Sequence, residues 1–143
     1  MEQSLLAASI RSRADYELVR SYIDMKLSTY SKLFVIVMSK VGDYYARDGD
    51  AKLVLPEILL AQINETIRND KHVERIKDML SEAAGLASSD LNVRAVCLLA
   101  KRQEVGDRLT QAILGASKES EDELLAEYQK LRTMTSIEET ETH

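Results

Sequence analysis

Few side chains in this sequence are of types that do chemistry, and their spacing decides how far each can be taken. The 143 residues hold one cysteine, Cys97, and two histidines, His72 and His143. Catalysis by a thiolate needs a base beside it and a group to orient that base. Cys97 instead lies in the run Val93-Arg94-Ala95-Val96-Cys97-Leu98-Leu99-Ala100, where a cysteine serves first as a small hydrophobe. One cysteine makes no internal disulfide, and two isolated histidines supply no zinc-ligand cluster. His72 stands near a helix start with no nucleophile in view, so an exposed or capping histidine is favoured over a general base. Glu119, Glu121, Asp122 and Glu123 could be read as a metal site. Negative charge in a first helical turn complements the helix dipole, and that is the better account.

Phosphate chemistry has as little support. The five glycines, at 42, 49, 85, 106 and 115, are scattered singly, and no G-x-x-x-x-G-K-[ST] loop is present to cradle a nucleotide. Arg11, Arg13 and Arg20 would suit a nucleic-acid backbone, but Asp15, Glu17 and Asp24 lie among them, which reads as a solvated mixed-charge surface. Net charge is −5, with 9 basic and 9 acidic residues up to position 69 and 10 against 15 after it. That balance argues against tight non-specific nucleic-acid binding, which needs a basic surface. A single-strand binder would also need aromatic platforms along a basic groove, whereas these tyrosines fall mostly on apolar stripes. No catalytic, cofactor or metal site is expected in this segment.

The elements that would position any site are helical throughout. Tyr30, Leu33, Phe34, Val37, Met38, Val41, Tyr44 and Tyr45 recur at one-face spacing and predict a central core helix over Ser28–Tyr45, capped by Ser28 or Thr29 and ended by αL-tolerant residues among Arg47-Asp48-Gly49-Asp50. A short helix over Glu2–Ile10 is expected to cover one end of the core, and a second runs from Ala14 to Met25. Pro56 opens a fourth at its first turn, with Ile58, Leu59 and Ile63 inward and an end near Ile67. Asn69 and Asp70 start a fifth, which Gly85 stops. Ser88-Ser89-Asp90 then caps the longest, Leu91 to about Ile113. Its first half is apolar nearly all round; its second carries the stripe Val105, Leu109, Ala112 and Ile113 against Lys101, Arg102, Glu104, Asp107 and Arg108, and extends away from the core. Gly115-Ala116-Ser117 turns the chain, and Ser120-x-x-Glu123 caps a last helix with the stripe Leu124, Leu125, Tyr128 and Leu131.

These readings give an all-α fold: a globular head of about five short helices over residues 1–86, a long antiparallel helical hairpin over 90–132, and a polar tail or linker over 133–143, one structural domain in all. The longest apolar run, Leu33–Met38, is far short of the roughly 20 residues a membrane span needs, and no charged-then-apolar leader precedes it, so a cytoplasmic protein is expected. Val93, Val96, Cys97, Val105, Leu109, Ile113, Leu124, Leu125, Tyr128 and Leu131 make more apolar surface than one small core covers. They are the candidate oligomer or partner interface, with a second hairpin as the simplest cover.

The order of elements resembles a known family. EQSLLAASI, then STYSKLFVIVMSKVGDYYARDGDAKLV, then LPEILLAQI, then the pair NVRAVCLLAKRQEVGDRLTQAI and DELLAEYQKL are similar to the N-terminal domain of DnaB-type replicative DNA helicases, of the kind phages carry. Glu2 with Leu5, Leu6 and Ile10, Asp48-Gly49-Asp50 with Leu53 and Val54, and Asn92, Val93 and Arg108 carry the resemblance, which spans nearly the whole chain. It implies a scaffold that pairs through its hairpin into a dimer or hexameric ring and docks primase or a helicase loader in the primosome of DNA replication. It also implies a parent that hydrolyses ATP with magnesium and meets DNA only through the ring. The family's ATPase domain, with its phosphate loop and arginine finger, has no counterpart in these residues. The competing class is a stand-alone adaptor, such as a helicase loader, a primase-derived helicase-binding domain or a phage regulator.

Overall fold

The computed structural model describes residues 1–88 and 90–134, and among them every regular element is an α-helix. The helices are α1 (Glu2–Arg11), α2 (Arg13–Tyr22), α3 (Lys32–Arg47), α4 (Pro56–Thr66), α5 (Asp70–Ala87), α6 (Val93–Ile113) and α7 (Glu121–Arg132).

The helix at the centre is α1, not α3 as the sequence reading has it. Leu5, Leu6, Ala7, Ala8, Ser9 and Ile10 are all buried, which is more than a full turn of consecutive residues, and α1 packs against α2, α3, α5 and α6. The reason is size. Ala7, Ala8 and Ser9 let neighbouring helices approach on sides where larger residues would hold them off, and the Ser9 hydroxyl is satisfied by donating to the Leu5 carbonyl at 2.8 Å. α3 packs on α1, α4 and α5 through Phe34, Val37, Met38, Val41, Tyr44 and Tyr45, the face its spacing predicts.

Helix starts follow side-chain capping. Ser12, Ser31, Asn69, Asn92 and Ser120 each accept a backbone N–H from the first turn of α2, α3, α5, α6 and α7. For α3 this moves the start past Ser28 and Thr29 to Ser31, whose own N–H and hydroxyl both donate to the Glu2 carboxylate, at 2.7 and 2.9 Å. Tyr30 is therefore buried from the connection before α3, where its ring stacks on Phe34 at 5.5 Å. The same logic moves the start of α6 from Leu91 to Val93, with Asn92 as cap; of the three residues expected to cap it, Ser88 ends α5 and Ser89 lies outside the described residues.

Helix ends depart further from expectation. α5 runs through Gly85 to Ala87, α2 stops at Tyr22, and α3 ends without an αL residue, since Asp48 has φ −121°. The positive φ among the described residues is Gly115 at 77°, where Ala116 donates back to the Gln111 carbonyl and Gly115 to that of Ala112, a Schellman turn closing α6. The carbonyls left over at the end of α3 are taken by Arg13. Its guanidinium donates to the carbonyls of Tyr45, Asp48 and Ala51 at 3.0, 2.5 and 2.6 Å and lies 4.7 Å over the Tyr45 ring. Arg13 is thus half-buried and engaged, not part of a solvated surface. Two backbone bonds, Arg13 N–H to the Lys52 carbonyl and Val54 N–H to the Ile10 carbonyl, pin the extended connection beside it.

Candidate interaction surface

α6 is held to the rest of the molecule at its start and in its middle. At its start, Arg11 reaches from α1 to donate to the Leu91 carbonyl at 3.0 Å while also pairing with Asp15 at 2.9 Å. Farther along, Cys97, Leu98, Ala100, Val105 and Ala112 join the same buried cluster as α1 and α3. No change of core therefore separates residues 1–86 from α6.

The middle hold is Glu104, which is 1% exposed. Tyr30 donates its phenol hydrogen to Oε2, the Asp24 N–H donates to the same oxygen at 3.0 Å, and Lys101 Nζ lies 3.7 Å from Oε1. A buried carboxylate persists only when paired and hydrogen-bonded, and these three partners meet that need. Burial and the bond to Glu104 push the Tyr30 phenol far above its ordinary value. The sequence reading put Glu104 on the polar face of an α6 half projecting from the core. In the structure, the connection 23–31 lies against that half, and Glu104 fastens it there.

α7 packs against α6. Arg102 donates to the carbonyls of Leu131, Arg132 and Met134 at 2.9, 3.2 and 2.9 Å, capping the end of α7 as Arg13 caps α3. Met134 is buried, so the expected tail at 133–143 begins with two positions attached to the fold; 135–143, including His143, lie outside the described residues. At the other end of the pair, Arg108 Nη2 meets Glu119 Oε1 at 2.5 Å. The Arg108 guanidinium holds the Glu119 carboxyl below the usual carboxylate range. Glu121, Asp122 and Glu123 occupy the first turn of α7, as dipole compensation requires.

The ten interface candidates divide by burial. Cys97, Val105, Leu124 and Leu131 are buried within the chain itself, and Val93, Val96, Leu109 and Tyr128 are half-buried. The first four have little surface left for a second molecule: Cys97 and Val105 lie on α6, which α1 and the 23–31 connection help to cover, and Leu124 and Leu131 lie on α7, which packs against α6. Ile113 and Leu125 are exposed, at 61% and 44%, and so are two leucines the reading did not name, Leu99 at 54% and Leu114 at 73%. Ile58, expected inward on α4, is also exposed. Leu99, Gly106 and Ile113 repeat every seven residues and share one outward face of α6, a signal hidden by the apolar residues around Leu99. A shallow groove of about 540 Å³ runs along this face, lined by Leu99, Gln103, Gly106 and Thr110 with Tyr128 of α7 at its side.

Burial pushes the Cys97 thiol up to about 11, which leaves it a poor nucleophile. His72 is exposed, with its backbone N–H capped by Asn69. No group of three or more His, Cys, Asp or Glu residues could hold a metal ion, and no helix is long and apolar enough to cross a membrane, both among the described residues. No family model, curated protein or solved structure matches the chain.

Proposed function

We propose that the chain is a non-catalytic helical scaffold acting through protein contacts, and specifically the N-terminal module of a DnaB-type replicative helicase. In this reading α6 and α7 form an antiparallel hairpin whose outward face pairs with the same face of a second copy, building a dimer or a hexameric collar that docks primase or a helicase loader. ATP, magnesium and DNA are handled by an ATPase domain elsewhere in the assembly.

The observation that supports this best is the exposure of Leu99 and Ile113 on one face of α6, with Leu125 exposed on α7 and Leu114 just past the end of α6. Large apolar side chains gathered on one face favour an interface, and an isologous two-fold contact needs only one self-complementary patch. The order of motifs that resembles the helicase family gives the same face its role.

Sedimentation of the wild-type chain and of Leu99→Lys/Ile113→Lys tests the pairing. The wild type is expected to shift from monomer to dimer or larger as concentration rises, and the double variant to stay a folded monomer, because like charges would meet with their water removed. A wild type monomeric at high micromolar concentration removes self-pairing from the reading. A phosphate loop in the downstream reading frame supports the helicase assignment, and a stop codon there supports the stand-alone adaptor.

A further inference from the structure

Gly106 stands inside a helix without a reason in the fold around it. Gly49 and Gly115 lie outside helices, Gly85 is in the last turn of α5, and Gly42 sits where a Cβ would stand 2.6 Å from the Tyr16 hydroxyl. Gly106 is in the interior of α6 with no positive φ. A Cβ there would meet Tyr128 Cε2 at 3.5 Å, an ordinary contact, so alanine fits among the described residues as well. Glycine inside a helix lowers stability relative to alanine, because its backbone loses more freedom on folding. It does so here at the centre of a stripe. Leu99, Gln103, Gly106, Thr110 and Ile113 follow one another at alternating steps of four and three, the spacing of a seam between helices. Gly106 is half-buried and the other four are exposed. None of the five is charged, on a helix that elsewhere carries Lys101, Arg102, Glu104, Asp107 and Arg108. Arg102 is drawn off to the end of α7, where it donates to three carbonyls.

We propose that Gly106 is the point at which α6 of a second copy crosses this helix, the missing side chain letting the two backbones come closer than a larger residue would allow. The inference rests on the self-pairing reading above and adds the residue that sets its geometry. In a two-fold contact the residue on the axis meets its own counterpart, so a large side chain there would collide with itself and a glycine does not. Leu99 and Ile113 stand seven residues to either side, so an equal pair of large apolar side chains flanks the crossing in both copies. An uncharged stripe also meets its own copy with no like charges opposed, whereas it offers a charged partner nothing to read.

The test compares the wild-type chain with Gly106→Ala and with Gly85→Ala, a control at an exposed position in α5 where a Cβ meets open space. Urea midpoints are read at a concentration where the chain is monomeric, and pairing is read by sedimentation equilibrium. Gly106→Ala is expected to raise the urea midpoint, since alanine is the better helix former, and at the same time to weaken pairing roughly tenfold, the effect of a methyl group forced between packed helices. Gly85→Ala should leave pairing as it is. The inference is overturned if Gly106→Ala pairs as tightly as a wild type that does pair, or if it lowers the urea midpoint, which would give the glycine a reason inside the fold. Either of those results leaves self-pairing standing. A wild type monomeric at high micromolar concentration overturns the pairing reading and this inference together.

Discussion

Glu104 and Tyr30, 74 residues apart in the chain, share a buried hydrogen bond in which the phenol donates and the carboxylate accepts. With the Asp24 N–H on the same oxygen, this bond fastens the 23–31 connection to the middle of α6. Tyr30→Phe removes one charge-assisted bond and should cost about 2 kcal/mol in urea unfolding. Glu104→Leu strands the phenol and the Asp24 N–H and should cost a similar amount. The double variant is expected to fall well short of the sum, because each single change already breaks the shared bond. Additive losses would mean that the two side chains do not act as a unit.

Arg13 tests whether a planar fork is needed or only a positive charge. Arg13→Lys keeps the charge but cannot reach three carbonyls and stack on Tyr45 at once. A loss of about 2 kcal/mol is expected, together with faster amide exchange at Val54, whose N–H bonds to the Ile10 carbonyl beside the clamp. A lysine variant as stable and as protected as the wild type would show that the fork contributes nothing.

The central place of α1 predicts an unusual penalty for enlarging its smallest side chains. Ala8 is 0% exposed. Ala8→Leu should cost about 1 to 3 kcal/mol by overpacking, although leucine is a good helix former. On α3, Val37→Asp places an unpaired charge in the core and should unfold the chain outright. Retention of a cooperative thermal transition by Val37→Asp would show that this face is not buried.

Alkaline pH should loosen the fold through two neutral groups. Burial raises the Cys97 thiol from its ordinary 9.0 to about 11 and, as the leading cause, the Tyr45 phenol from 10.0 to about 12. A group whose folded value is raised contributes stability that is whole below its unfolded value and lost as pH rises through the folded one. Urea midpoints should therefore decline between about pH 9 and 12. Cys97→Ala should be less stable at neutral pH but show a shallower decline through the lower part of that window. A midpoint flat to pH 11 in the wild type would contradict the assignment.

Much of the fold was legible in the sequence because helices announce themselves locally. The stripe from Phe34 to Tyr45, the proline opening α4, the asparagine before α5 and the serine before α7 each carry their signal within a turn or two. What stayed hidden depended on distant partners. Ten residues of α1 do not reveal that four helices will surround them, and a glutamate among Lys101, Arg102 and Asp107 looks solvated until Tyr30 and the Asp24 N–H are placed against it. Arg13 and Arg102 were likewise legible as charges but not as caps, since the carbonyls they serve lie 29 to 38 residues away. Which apolar residues of α6 and α7 stay exposed was legible only in part. Ile113 and Leu125 were named, but Leu99 was missed because a uniformly apolar stretch conceals which of its members faces out.

The burial of α1 also sets an order of events during synthesis. α1 leaves the ribosome before α5 and α6, the helices it packs against, whose residues begin about 60 to 90 positions later. Until those positions emerge, Leu5, Leu6 and Ile10 have only part of their eventual cover, and long-range contacts of this kind slow folding because chain closure must precede the contacts that reward it. Until α5 and α6 follow, the nascent chain therefore carries unshielded the helix that ends up most enclosed, and apolar surface exposed in that interval favours aggregation.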